Sequence, residues 1–457
     1  MKGKTTLILA GILVALALYV YFFEVKGKAE KERAEAKAKK VFQWEKQNVQ
    51  KITLKRSSGT VVCVRDSNEW QLLSPIKTVA DKSTINSMLS SLIDTKIERK
   101  LEGVKTLADF GLAPPKFTVI LTSKDNKSDT LFFGNKNPTK TYLYAKRPGE
   151  SGVFLTGTSL SYYLTKKVFD FRDKTVLPFS KKDIKQITLK HKGRKDIVIS
   201  KEGDGWKIIS PIETQADKSA VDELLNKVKW AKAKSYEDEK PKNLRKYGLT
   251  HPVITLILTI GKERAEKQLL IGKKKKDDRY YAKDVTRPPV FTVDNNFVKG
   301  LNKTLFDLRD KKIVHFNREE THSLTITYKD KPTFACQKDT AGDWYIQSPK
   351  KVKAKSWKIS SIITKIEDLK AKKFIGKVSS KFHRYGLKSP RLEVFLKDKD
   401  GKKIVDIVFG KKAGKDQVYV MNRIINWVYR VDNSIIKDLT PDIKDFAAEE
   451  KAKTKAK

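Results

Sequence analysis

Residues 70–93 read WQLLSPIKTVADKSTINSMLSSLI, and the chain writes this stretch three times. The second writing is WKIISPIETQADKSAVDELLNKVK over 206–229, and the third is WYIQSPKKVKAKSWKISSIITKIE over 344–367. Trp70 to Trp206 is 136 residues and Trp206 to Trp344 is 138. A fixed period marks tandem units. A period this long lets each unit own a core, unlike the short repeats of a solenoid.

Each residue type in the stretch has a physical job. Ile85, Met88, Leu89 and Leu92 recur at helical spacing, as do Val221, Leu224, Leu225 and Val228, and Ile359, Ile362, Ile363 and Ile366. That spacing places them on one face of an amphipathic helix. Asp81 and Asp217 precede the face and read as N-caps rather than catalytic carboxylates. The third copy has Lys355 there, with Ser356 as a substitute cap. The Ser-Pro pair ends the strand before it, because proline pushes its predecessor out of the helical region. Each tryptophan reads as core, between that strand and the helix.

Around the stretch the strand signals repeat. In the first copy they are Val49 to Lys55, Thr60 to Arg65, Phe117 to Thr122, Thr130 to Phe133, Tyr142 to Ala145 and Val153 to Leu155. Short links favour antiparallel pairing. The expected class is α+β: an N-terminal transmembrane helix, then three tandem, mainly antiparallel β-sheet domains with about seven strands and two helices each. The Gly-Lys pairs at Gly272-Lys273 and Gly410-Lys411, and Gly134-Asn135-Lys136, read as hairpin turns rather than phosphate loops. The Arg-Asp-Lys runs at Arg172 and Arg309 read as polar clasps between units.

The chain of 457 residues carries 97 Lys+Arg against 54 Asp+Glu, a formal charge of +43. That field favours anionic partners, although net charge speaks to solubility and non-specific binding before it speaks to a site. Residues 5–23 hold no charged side chain, which predicts a membrane contact there as an uncleaved signal anchor. Residues 25–41 are rich in Ala, Glu and Lys, which predicts a helical stalk. The expected layout is an anchor over 1–24, a charged stalk over 25–41, repeat domains over 42–176, 177–312 and 313–446, and a disordered basic tail over 447–457.

The motif search yields no chemistry. The chain has no glycine-rich phosphate loop, HExxH, GxSxG or CxxC. His191, His251, His315, His322 and His383 lack metal-ligand spacing. Cys63 and Cys336 occupy equivalent strands of different units, so no disulfide is expected. No catalytic, cofactor-binding or metal residue is assigned, and the reading is non-enzymatic.

Together, the tryptophan, Ser-Pro and Ala-Asp-Lys series, the (Phe/Tyr)-Gly-Leu turns at Phe110, Tyr247 and Tyr385, and the Phe-Gly-Asn-Lys and Ile-Gly-Lys strand ends resemble the bacterial domain of unknown function 4340 (DUF4340). The resemblance covers residues 42–446 and departs at Lys355. It implies a membrane-anchored envelope protein that accompanies ABC-type transport components, and it carries no catalytic residues. The expected function is therefore a scaffold or accessory subunit of a membrane complex, at the bacterial inner membrane with an extracytoplasmic body and protein partners. The alternative is a module for an anionic ligand: lipid headgroups, an acidic polymer or, least favoured, nucleic acid.

Overall fold

The computed structural model describes residues 2–19, 21, 37–377 and 382–448. In the first copy nine strands form one antiparallel sheet: β1 (Val49–Arg56), β2 (Gly59–Asp66), β3 (Glu69–Ser74), β4 (Thr78–Val79), β5 (Arg99–Leu101), β6 (Phe117–Ser123), β7 (Ser128–Lys136), β8 (Tyr142–Lys146) and β9 (Val153–Gly157). Their order is β4-β3-β2-β1-β6-β7-β8-β9-β5. Two meanders therefore lie side by side, joined where Ile52 faces Leu121 and Leu54 faces Val119. β5 crosses to the far edge and pairs with β9, Lys100 opposite Phe154. The other two copies have nine strands in the corresponding order.

An N-terminal helix, α1, covers Lys2–Tyr19, and one longer helix serves each copy: α2 (Lys82–Ile93), α3 (Lys218–Trp230) and α4 (Ser356–Glu367). The apolar face of α2 buries Ile85, Met88, Leu89 and Leu92 against Trp70, Leu54, Val119 and Leu131 of the sheet. The Trp70 ring is fully enclosed, and its Nε1 donates to Asn86 Oδ1 of the helix at 2.9 Å. An indole needs that partner, because a buried N–H without one is costly. Trp206 and Trp344 are also buried, each 3% exposed.

By backbone proximity the chain divides into two compact units. One comprises residues 1–183, 226–257 and 266–299; the other comprises 184–225, 258–265 and 300–457. The first contains the core just described. The second contains the core of the third copy, where Trp344, Ile359, Ile362, Ile363 and Ile366 pack with Val394, Ile407 and Phe409.

Helix capping follows the sequence in two copies of three. Asp81 accepts from the Thr84 N–H at 2.8 Å, and Asp217 from the Ala220 N–H at 3.1 Å. In the third copy Lys355 holds the cap position with no side-chain cap bond, and Ser356 is already helical, so it does not substitute. The Ser–Pro bond of the repeated stretch is cis in all three copies, at Pro75, Pro211 and Pro349.

Three expectations are corrected. The α+β class with two helices per unit gives way to three nine-stranded antiparallel sheets with few helices. The two strands missed per copy are edge strands. Thr78–Val79 is two residues long, and Arg99–Leu101 is charged, so neither displays an apolar alternation. In the first copy the second of the two expected helices is reduced to one-turn pieces, Ser161–Leu164 and Val168–Phe171.

The transmembrane helix is the second correction. Among the described residues no helix is long and apolar enough to cross a membrane. α1 begins with Lys2 and Lys4 and ends at Tyr19. Its uncharged part spans about 22 Å at 1.5 Å per residue, against a hydrocarbon core of about 30 Å. The rest of the expected anchor, at 20 and 22–24, and most of the stalk, at 25–36, lie outside the described residues.

The third correction concerns the tail. Ala447 bridges Ala354, and the Ala448 N–H donates to the Lys353 carbonyl at 2.8 Å. These two residues of the expected disordered 447–457 segment therefore close the third copy; 449–457 lie outside the described residues.

Candidate functional site

Three features recur or stand out when the copies are compared: an interlocked glycine pair, an arginine clasp and a lysine-lined recess.

The Gly-Lys segments are not hairpin turns. They lie inside long strands, Ser128–Lys136, Ala265–Lys274 and Lys403–Lys412, and each interrupts the register to the next strand as a bulge. The (Phe/Tyr)-Gly-Leu turn lies directly on the bulge. A Cβ on Gly134, Gly272 or Gly410 would come within 2.0, 2.2 or 2.1 Å of the carbonyl oxygen of Phe110, Tyr247 or Tyr385. The Asn135 N–H donates to that carbonyl of Phe110 at 2.7 Å. Two sequence motifs about 25 residues apart are thus halves of one joint, and glycine is required because backbone meets backbone. The turn also caps a small second core on that face: Tyr247 and Leu249 with Val290, and Leu387 with Val408 and Val428.

The arginine clasp is built at the end of a copy. The Phe-Arg-Asp segment pairs with the Val-Ala-Asp segment that leads into α2: the Asp81 N–H donates to the Phe171 carbonyl at 2.8 Å and the Asp173 N–H to the Val79 carbonyl at 3.0 Å. This aims Arg172 at the edge strand Ser235–Asp238 of the second copy. Its guanidinium is 3.4 Å from the Tyr236 ring centre and meets both carboxylate oxygens of Glu239, at 2.5 and 3.0 Å. The Tyr236 hydroxyl donates to the Asp173 carbonyl at 2.7 Å, and burial pushes its pKa up. Arg309 repeats the device on the third copy. It is 3.7 Å from the Phe374 ring centre and 4.9 Å from that of Trp427. Burial lowers its pKa from the ordinary arginine value. Lys377 stands three residues past Phe374, where Glu239 stands three past Tyr236. The outer ends differ. Lys100 occupies the position of Tyr236 in the first copy, and Ala447 occupies that of Arg172 in the third.

The recess lies at the base of the first copy, between the β6–β7 hairpin and the segment entering β1. It has a volume of about 1010 Å³ and is lined by Lys37, Lys40, Lys46, Lys124, Lys127 and Trp44 among others. Three carboxylates, Glu45, Asp94 and Asp125, share the wall. Lys40 pairs with Asp94 at 2.9 Å. Lys37, Lys124 and Lys127 make no ion pair among the described residues, so the recess holds uncompensated positive charge.

The residues that carry most chemistry elsewhere are dispersed. Among the described residues no group of three or more His, Cys, Asp or Glu is placed to hold a metal ion. His191 is buried with Nε2 3.2 Å from the Leu301 carbonyl, and burial lowers its pKa. His315 contacts Asp310 at 2.6 Å. Cys63 and Cys336 are free and buried, and burial pushes both thiols up to about 12.

No curated protein matches the chain. The family model described as Domain of unknown function (DUF4340) matches three regions, residues 70–210, 206–376 and 344–455, consistent with three copies of its domain. Each match begins at one of the three buried tryptophans, and together they span most of the sequence, so the chain belongs to the DUF4340 family.

Proposed function

We propose that the protein is a non-enzymatic scaffold, an accessory subunit that presents its three copies to protein partners in a complex of the bacterial envelope. The observation that carries this reading is the arginine clasp. Arg172 and Arg309 are buried, and each is stacked on an aromatic residue of the following copy. Burying a guanidinium costs solvation that the aromatic stack offsets at both junctions, helped at Arg172 by the forked pair with Glu239. A chain that joins its copies in this way is suited to binding partners over more than one of them.

The test is affinity purification of the full chain expressed at its native level, with quantitative mass spectrometry. Partners recovered in fixed proportion support the scaffold. A protein recovered alone, monomeric at native concentration, contradicts it.

A second reading is favoured by the lysine recess: an anionic ligand held at Lys37, Lys124 and Lys127. Its binding would weaken steeply with salt, because exposed charges are screened within about 8 Å at 0.15 M. Salt-insensitive binding, or binding unchanged in Lys124→Glu/Lys127→Glu, contradicts it.

A further inference from the structure

The three copies serve as internal controls for one another, and one corner of the third copy departs from both siblings at once. The corner is the hairpin tip and helix entry over residues 350–358. Trp357 replaces Ser83 and Ser219, and Lys355 replaces Asp81 and Asp217. Lys350 replaces Ile76 and Ile212, and Lys351 stands where the siblings have Lys77 and Glu213. From the second copy to the third, these positions change from two carboxylates and no lysine to three lysines.

Two of these changes, at Lys355 and Trp357, work against the fold. Lys355 forfeits the side-chain cap that Asp81 and Asp217 provide, and it sets a cation at the positive end of a helix. The Trp357 indole is 65% exposed, whereas the repeat tryptophan Trp344 is buried. A large ring left in water gains nothing from burial, and departures from local rules concentrate at functional surfaces. Lys358 Nζ lies 4.8 Å from the Trp357 ring centre, so the indole stands within the basic patch. Lys350, Lys351 and Lys355 make no ion pair among the described residues. Lys353 is paired, with Asp343 at 2.6 Å.

We infer that this corner is a docking surface for an anionic phospholipid bilayer, with Lys350, Lys351, Lys355 and Lys358 facing the headgroups and Trp357 entering the interfacial layer. The charge selects an anionic surface. The indole selects a lipid one, because an amphipathic ring is stabilised at headgroup level between apolar and wet regions, which a soluble polyanion does not offer. This inference goes beyond the scaffold reading and does not rest on it.

The test uses the full chain and vesicles of phosphatidylcholine with or without about 30% phosphatidylglycerol, whose anionic surface attracts lysines. Two variants return sibling residues to the corner: Lys351→Glu/Lys355→Asp and Trp357→Ser. Both should fold, since the second copy folds with Glu213, Asp217 and Ser219 at these positions; thermal melts verify this. Each lysine at an anionic surface contributes about fivefold in affinity, so the double variant should lose on the order of twentyfold or more. Trp357→Ser should weaken binding severalfold and abolish the blue shift of tryptophan emission on binding. Equal binding to neutral vesicles, or binding that both variants retain, overturns the inference; α1 acting alone would give that result. Binding to polyphosphate or single-stranded DNA as tight as to anionic vesicles also overturns it.

Discussion

The Arg172 guanidinium lies 3.4 Å from the centre of the Tyr236 ring, 64 residues further along the chain and in the following copy. Arg309 lies 3.7 Å from Phe374, 65 residues further along. The same contact therefore occurs at both junctions, although the carboxylate partner occurs only at the first. The ring is the common element and Glu239 is an addition.

Arg172→Ala removes a nearly fully buried partner and leaves Glu239 and Tyr236 exposed to each other without a cation. It should destabilise the chain by about 2–4 kcal/mol, within the range for breaking buried charged networks. Arg172→Lys should recover less than half, because an ammonium cannot stack flat and fork to two oxygens. Urea unfolding of the variants checks both.

Gly272→Ala should cost more than about 3 kcal/mol, since its Cβ would fall 2.2 Å from the Tyr247 carbonyl oxygen and backbone must move. Gly152→Ala is the control: nothing lies within 4 Å of its Cβ, and a near-neutral change of at most about 0.5 kcal/mol is expected. Comparing the midpoints of the two variants decides whether the bulge joint is as tight as the distances require.

Much of this fold is legible in the sequence. The tryptophan-to-helix stretch, the caps at Asp81 and Asp217 and the six longer strands of the first copy all follow from periodicity and residue chemistry. The edge strands do not, because backbone pairing at Thr78–Val79 and Arg99–Leu101 imposes no apolar pattern. The bulge joint was hidden for another reason. Gly134 and Phe110 each look like ordinary turn residues, and only their contact reveals that they form one structure. The Arg-Asp-Lys clasp was visible as a motif, but its aromatic partner was not, because nothing in a linear sequence links Arg172 to Tyr236.

Asp81 gives a pH signature. Burial alone would raise its pKa, but bonds from the Thr84 backbone and from Ser83, with the charge of Lys174 at 3.5 Å, hold it below the ordinary 3.8. A carboxylate with a depressed folded pKa contributes stability in full above its unfolded value and loses it as pH falls through the folded one. The stability gap between wild type and Asp81→Ala should therefore be about 1 kcal/mol at pH 7 and shrink below pH 3.8. Denaturation of both proteins at neutral and acidic pH measures the gap.

Lys355→Asp should stabilise the third copy by about 1 kcal/mol, by restoring the missing cap and removing a cation from the positive helix end. A rise in thermal midpoint is the expected outcome.

Cys63 and Cys336 should resist alkylation in the native chain at pH 8, since each thiol is buried with a pKa pushed up to about 12. Both should react on unfolding. Mass spectrometry after a short iodoacetamide pulse counts the labels.

The central claim is that joined copies bind partners as one scaffold, and it is tested most directly by comparing the complexes recovered with wild type and with Arg172→Ala/Arg309→Ala at native expression. The account predicts partners in fixed proportion with wild type and a marked loss with the double variant, while each tryptophan core stays folded by near-ultraviolet circular dichroism. Partners retained in the wild-type proportion by the folded double variant, or no partner with either protein, would contradict it.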